Sequence, residues 1–90
     1  MRIVLTCIDK PHALDLRMTN RPAHVEHLNT SGVVELAGPF LDANGQMCGS
    51  MIVLSVDTMQ QALDWVSDDA YTKAGLFASV DVREWKRVIG

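Results

Sequence analysis

The alternation of apolar and polar positions divides the chain into strands and helices. Arg2–Ile8 reads as a strand in which Ile3, Leu5 and Cys7 point one way and Val4, Thr6 and Ile8 the other. Both faces are largely apolar, so both are expected to be covered. Asp9-Lys10-Pro11-His12 breaks the strand. Ala13–Met18 has helical character. A second helical run starts at Asn20 or Arg21, with Pro22 in a first turn whose N–H groups lack intrahelical acceptors. Pro22 therefore predicts a kinked or two-part helix, with Ala23, Val25 and Leu28 on its apolar side. Ser31-Gly32 closes it, Gly32 supplying the left-handed C-terminal conformation.

Val33–Leu41 is the second strand. Pro39 cannot donate to a ladder, so Gly38-Pro39 predicts an edge, a bulge or a bend. Asp42–Gly45 is a turn in which Asn44-Gly45 signals a hairpin. Met47–Val56 is the third strand, and its Met51-Ile52-Val53-Leu54 is apolar on both faces. Antiparallel strands usually show one face to water, so the second apolar face needs a cover. Asp57 or Thr58 caps a helix over Met59–Ser67, with Met59, Ala62, Leu63 and Val66 at helical spacing and Trp65 at its margin. Asp68–Gly75 is a short turn-like or helical piece ended by Gly75, and Leu76–Val88 is the last strand. The order β-α-β-β-α-β predicts an α+β, ferredoxin-like fold with an antiparallel sheet and both helices on one face. The other face then predicts a second copy of the chain, as a homodimer or a higher assembly. Sharing an interior in this way also relieves the small core of a 90-residue chain.

Composition narrows the function classes. The formal net charge of −3 gives no electrostatic footprint for nucleic acid or for an anionic membrane surface. No apolar run approaches the ~20 residues of a membrane span. The N-terminal segment lacks a signal-peptide cleavage pattern, which points to the cytoplasm. Cys7 and Cys48 form neither a disulfide framework nor a CxxC, and are read as reduced thiols. The aromatic residues Trp65, Tyr71, Phe77 and Trp85 make no basic-flanked pair on a strand, which disfavours RNA recognition.

The candidate chemistry centres on Arg17–His24. His24 is a candidate general base or a plain polar helix residue. Asp68 or Asp69 is a candidate orienting carboxylate, or the cap of the short turn that follows. Arg17 and Arg21, four apart, would share a helix face and form an anion-binding fork if the helix were continuous; otherwise they are solvated or pair with Asp15 or Glu26. Gly38, Pro39 and Gly49-Ser50 flank the central hairpin, with Ser50 able to supply a hydroxyl. No spacing of His, Cys, Asp and Glu makes a metal site, His24 and His27 included.

Arg17-x-x-x-Arg21-Pro22-Ala23-His24, Ala37-Gly38-Pro39, Gly49-Ser50, Asp69-Ala70-Tyr71…Ala74-Gly75 and the closing Val82…Trp85-Lys86 together resemble the YCII-related (YciI-like) family of small bacterial proteins. The resemblance runs over nearly the whole chain, treated as one domain over residues 1–90. It departs at Ala70, where the family commonly has proline. It implies a ferredoxin-like subunit, a dimeric α+β barrel and a His–Asp site in a cleft beside the sheet, with His24 as the histidine and Asp69 as the aspartate. Relatives in the wider fold include muconolactone isomerases, antibiotic-biosynthesis monooxygenases and a dehydrochlorinase of a chlorinated hydroquinone. The leading expectation is a cofactor-independent lyase or isomerase acting on a small anionic or aromatic molecule. His24 and Asp69 would be catalytic, and Arg17, Arg21, Gly38, Pro39, Ser50 and Tyr71 would bind substrate. The alternatives are a non-catalytic ligand-binding or scaffold dimer and a heme- or oxygen-using member of the superfamily.

Overall fold

The computed structural model describes residues 1–90. Four strands, β1 (Arg2–Asp9), β2 (Val34–Leu41), β3 (Met47–Ser55) and β4 (Phe77–Trp85), form one sheet in the order β2-β3-β1-β4. Every neighbouring pair is antiparallel. Helices α1 (Leu14–Thr30), α2 (Met59–Asp68) and the one-turn α3 (Ala70–Lys73) complete the α+β, ferredoxin-like arrangement. Pro39 lies on an edge strand, where its missing N–H costs no interior hydrogen bond. No helix is long and apolar enough to cross a membrane.

The alternation of β1 holds. Ile3, Leu5 and Cys7 are fully buried beneath the helices and meet Ile52, Leu54, Ala62 and Trp65 in the core. Each such aliphatic side chain contributes about 1.5–3 kcal/mol by leaving water. The opposite face carries Val4, Leu36, Met51, Val53 and Trp85 around a shallow groove, with Leu36 52% and Trp85 45% exposed.

Four local expectations are corrected. The first helix is one continuous element with Pro22 inside it, not two pieces. Pro22 and Met18, whose carbonyl loses its partner, both lie on the exposed side, where water can serve instead. Of the expected apolar side, Leu28 packs against the core and Val25 is partly buried, but Ala23 is exposed, and the two most buried residues of the helix are Arg17 and His24. Trp65, expected at the margin of α2, is in the core, while Leu63 is 43% exposed. Thr58 caps α2 through a reciprocal capping box with Gln61. The last strand stops at Trp85, short of Val88.

Candidate active site

β1 and α1 bring the first charged pair together. Asp9 continues the inward alternation of Ile3, Leu5 and Cys7, so its carboxylate lies under α1. There it accepts from Arg17 Nε at 2.7 Å and from Arg17 Nη2 at 3.2 Å. This bidentate pair is buried, the side chains being 2% and 5% exposed. Arg17 Nη2 also donates to Ser50 Oγ at 2.7 Å, and Nη1 makes a long 3.4 Å contact to the Tyr71 hydroxyl. Burial alone would lower the Arg17 pKa; the hydrogen bonds and charge of Asp9 outweigh it and raise the pKa above its ordinary value. Gly49 fits here because a Cβ would collide with the Cys7 carbonyl oxygen, so only glycine lets β3 lie this close to β1 beside Ser50.

The second pair joins α1 to the α2–α3 junction. Asp69 ends α2 in extended backbone (φ −66°, ψ 133°) and starts α3. Its Oδ1 accepts from the Tyr71 backbone N–H at 3.2 Å, which is the helix cap, and lies 2.8 Å from His24 Nδ1. Cap and orienter are thus the same atom. The extended backbone before Ala70 is the conformation a following proline would impose; here the cap holds it. The Tyr71 ring stacks on the His24 imidazole at 3.9 Å and 15°, and Arg17 Cζ sits 4.6 Å above the same ring. With Nδ1 donating to the carboxylate, His24 Nε2 keeps its lone pair and has no partner in the chain.

Between α1, β2, β3 and α3 lies a cavity of about 110 Å³. All of Arg17, Arg21, His24, Gly38, Pro39, Ser50 and Tyr71 line it, together with the apolar Val25, Leu28 and Met47. Asp69 stands behind His24 rather than on the wall. The expected arginine fork is corrected: Arg17 pairs with Asp9, not Asp15 or Glu26, and its charge is neutralised there, while Arg21 stays exposed at the rim. His27, three residues from His24, turns instead to Trp65. Asp9 was not among the expected site residues. Its odd-numbered place after Cys7 was the available signal.

Burial raises the Tyr71 pKa, with the charges of Arg17 and Arg21 acting the other way, so its hydroxyl stays protonated near neutrality. Burial, reinforced by the charge of Asp69, pushes the Cys7 thiol up to about 12. The arrangement therefore supplies a carboxylate-oriented imidazole, neutral hydroxyls and one uncommitted guanidinium around a cavity.

A solved structure of 5-chloro-2-hydroxyhydroquinone dehydrochlorinase (TftG) from Burkholderia phenoliruptrix, in complex with 2,5-dihydroxybenzoquinone, superposes with a TM-score of 0.89. It is 30% identical, over 96% of this chain and 94% of that one. An antibiotic biosynthesis monooxygenase-like structure from Bacteroides thetaiotaomicron superposes at 0.63 with 8% identity, covering 99% of this chain and 90% of that one, which is a likeness of fold alone. Protein YciI of Escherichia coli is 30% identical, over 98% of this chain and 99% of its own length. Residues 1–86 match the YCII-related domain. The chain belongs to the YCII-related family.

Proposed function

We propose that this protein is a small cofactor-independent enzyme of the lyase or isomerase type that moves a proton on a single-ring, enol- or phenol-like substrate. The observation that carries the reading is the 2.8 Å His24–Asp69 contact at the wall of the cavity, with His24 Nε2 unpartnered. Nε2 would take a proton from a substrate hydroxyl or carbon, and Asp69 would compensate the charge the ring then carries. The imidazolium would return that proton to another substrate atom in an isomerisation. In a dehydrochlorination chloride leaves with the electron pair of its bond, and the imidazolium passes the proton to water. At about 110 Å³ the cavity is smaller than the roughly 150 Å³ void that takes a benzene, so at most one ring enters it, with part of the ligand left at the Arg21 rim. The likeness to the dehydrochlorinase supports a substrate of the hydroxylated-ring class.

The working unit is proposed to be a homodimer in the cytoplasm, closed across the sheet face that carries Leu36, Met51 and Trp85. Exposed apolar side chains on that face support this reading. Sedimentation of the purified chain at twice the monomer mass is the expected result.

The test is anaerobic turnover of 5-chloro-2-hydroxyhydroquinone, followed by chloride release, with a panel of unchlorinated hydroxyquinones followed by absorbance. His24→Ala is expected to abolish turnover while the dimer persists. Full activity in His24→Ala sinks the acid–base assignment. Binding across the panel without any turnover favours the non-catalytic ligand-binding dimer.

A further inference from the structure

We propose that the buried Asp9–Arg17 pair holds the Ser50 and Tyr71 hydroxyls as two hydrogen-bond donors aimed at one anionic oxygen of the ligand. The proposal rests on the reading of the cavity as a ligand site and assigns which end of the ligand it grips.

The argument starts from what an arginine side chain can do. It has five N–H donors and no acceptor. Asp9 takes Nε and one hydrogen of Nη2, at 2.7 and 3.2 Å, which fixes the plane of the guanidinium. The rest of the Nη edge then faces Ser50 Oγ at 2.7 Å and the Tyr71 hydroxyl at 3.4 Å. Facing a group that only donates, both hydroxyls present their oxygens to it. Each has one hydrogen, and that hydrogen must point elsewhere. Neither hydroxyl has any other partner in the chain, and both residues line the cavity. Ser50 is 2% exposed and Tyr71 is fully buried, so these hydrogens call for an acceptor that the cavity's occupant must bring.

The occupant's matching group is an oxygen that accepts and does not donate. A ring-borne phenolate or enolate meets this requirement and suits a cavity of about 110 Å³. Arg21 at the rim adds the one cation not already neutralised. The expected fork of two arginines is thereby replaced by two neutral donors and one charge. Donors preorganised by a fixed guanidinium need no reorientation as charge builds on the oxygen, which is the arrangement that stabilises an enolate formed when His24 removes a proton. Asp9 and Arg17 act here as positioning residues; Ser50 and Tyr71 would touch the ligand.

The experiment uses 4-nitrophenol, whose ionised form is yellow and which ionises near neutrality, titrated with the full chain across that range. In the wild type the ionised form is expected to bind roughly a hundredfold more tightly than the neutral form, lowering the bound probe's pKa. Ser50→Ala and Tyr71→Phe should each cut that preference roughly tenfold, and Arg17→Lys, which keeps the charge but loses the fork, should do likewise. The readout is the ratio of the two affinities, which general loosening of the site would leave unchanged. If Arg17→Lys does not fold, the two hydroxyl variants decide the matter. The affinity ratio is read without turnover, so the oxygen site stands on its own even if the acid–base reading falls. Equal affinity for the two forms, no binding of either, or a preference unchanged in both Ser50→Ala and Tyr71→Phe overturns the proposal.

Discussion

His24 and His27 sit three residues apart on α1, and each stacks on an aromatic ring and makes one hydrogen bond. His24 lies 3.9 Å from the Tyr71 ring and His27 lies 4.4 Å from the Trp65 ring. The difference is in the partner. His24 presents Nδ1 to the Asp69 carboxylate at 2.8 Å, whereas His27 presents Nε2 to the Trp65 backbone carbonyl at 3.0 Å. A carbonyl holds a neutral imidazole in one tautomer. A carboxylate also compensates the charge that the ring acquires on taking a proton. His27 ties α1 to α2, and Trp65 Nε1 extends the tie to Ser31 Oγ at 2.9 Å. His24 is tied just as firmly, yet its second nitrogen opens on the cavity. Packing makes the two histidines alike; the partner and the open side make them different.

The comparison is broken most directly by removing each ring. His24→Ala should lower turnover by at least roughly a hundredfold. His27→Ala should leave turnover within about twofold and cost about 1–2 kcal/mol of stability in urea denaturation, through a lost hydrogen bond and stack. Equal losses of turnover in both would erase the distinction.

Asp69→Asn tests the partner itself. Turnover should fall at least roughly tenfold, since the amide cannot compensate an imidazolium. Nitrogen NMR of the wild type should find the two rings in opposite tautomers, His24 protonated on Nδ1 and His27 on Nε2. The same tautomer in both rings would contradict the geometry.

The His24 side also carries a buried thiol close enough to feel Asp69. Cys7 titrates at about 12 in the folded chain against an ordinary 9.0, through burial first and the charge of Asp69 second. Below pH 9 both states keep the proton; above it the unfolded chain loses the proton while the folded chain holds it. Stability should therefore fall by about 1.4 kcal/mol per pH unit above that point from this group, until the folded thiol itself ionises. Cys7→Ala should flatten this slope, read from urea midpoints at stepped alkaline pH. The smallest effect on turnover belongs to the His27 side: Trp65→Phe, which keeps a ring and the backbone carbonyl, should leave turnover unchanged and cost about 1–3 kcal/mol of stability, from the lost bond to Ser31 and the space a smaller ring leaves in the core.

Much of this was legible in the linear pattern. Asn44-Gly45 marked the hairpin, Pro39 an edge, a bulge or a bend, and Gly32 and Gly75 the ends of helical pieces, each from a local physical cause; that Pro39 lies on an edge was settled by the strand order. The residues offered Asp68 or Asp69 as the carboxylate for His24; the choice of Asp69 came from a family resemblance, because spacing cannot separate two neighbours that lie about 45 residues away in the chain. Local rules failed at α1. Apolar periodicity pointed to Ala23, Val25 and Leu28; Leu28 does meet the core, but the most buried positions are Arg17 and His24, which that periodicity passes over. A helix that buries an arginine and a histidine breaks the pattern a sequence favours for stability, and such conflicts concentrate where function sits. The plainly amphipathic α2 shows the contrast, burying Ala62 and Trp65.

The sequence by itself determined the element order, the antiparallel hairpin and the two-faced apolar sheet, because period-two alternation and turn chemistry act over a few residues. The tertiary structure alone decided which charges cancel. Asp9 neutralises Arg17 and leaves Arg21 as the uncommitted cation at the cavity, since an ion pair depends on distance and burial between elements rather than on separation along the chain. It also decided that one oxygen of Asp69 serves both the α3 cap and His24. That choice is set by where α1 crosses the α2–α3 junction, a relation that no local stretch of residues encodes.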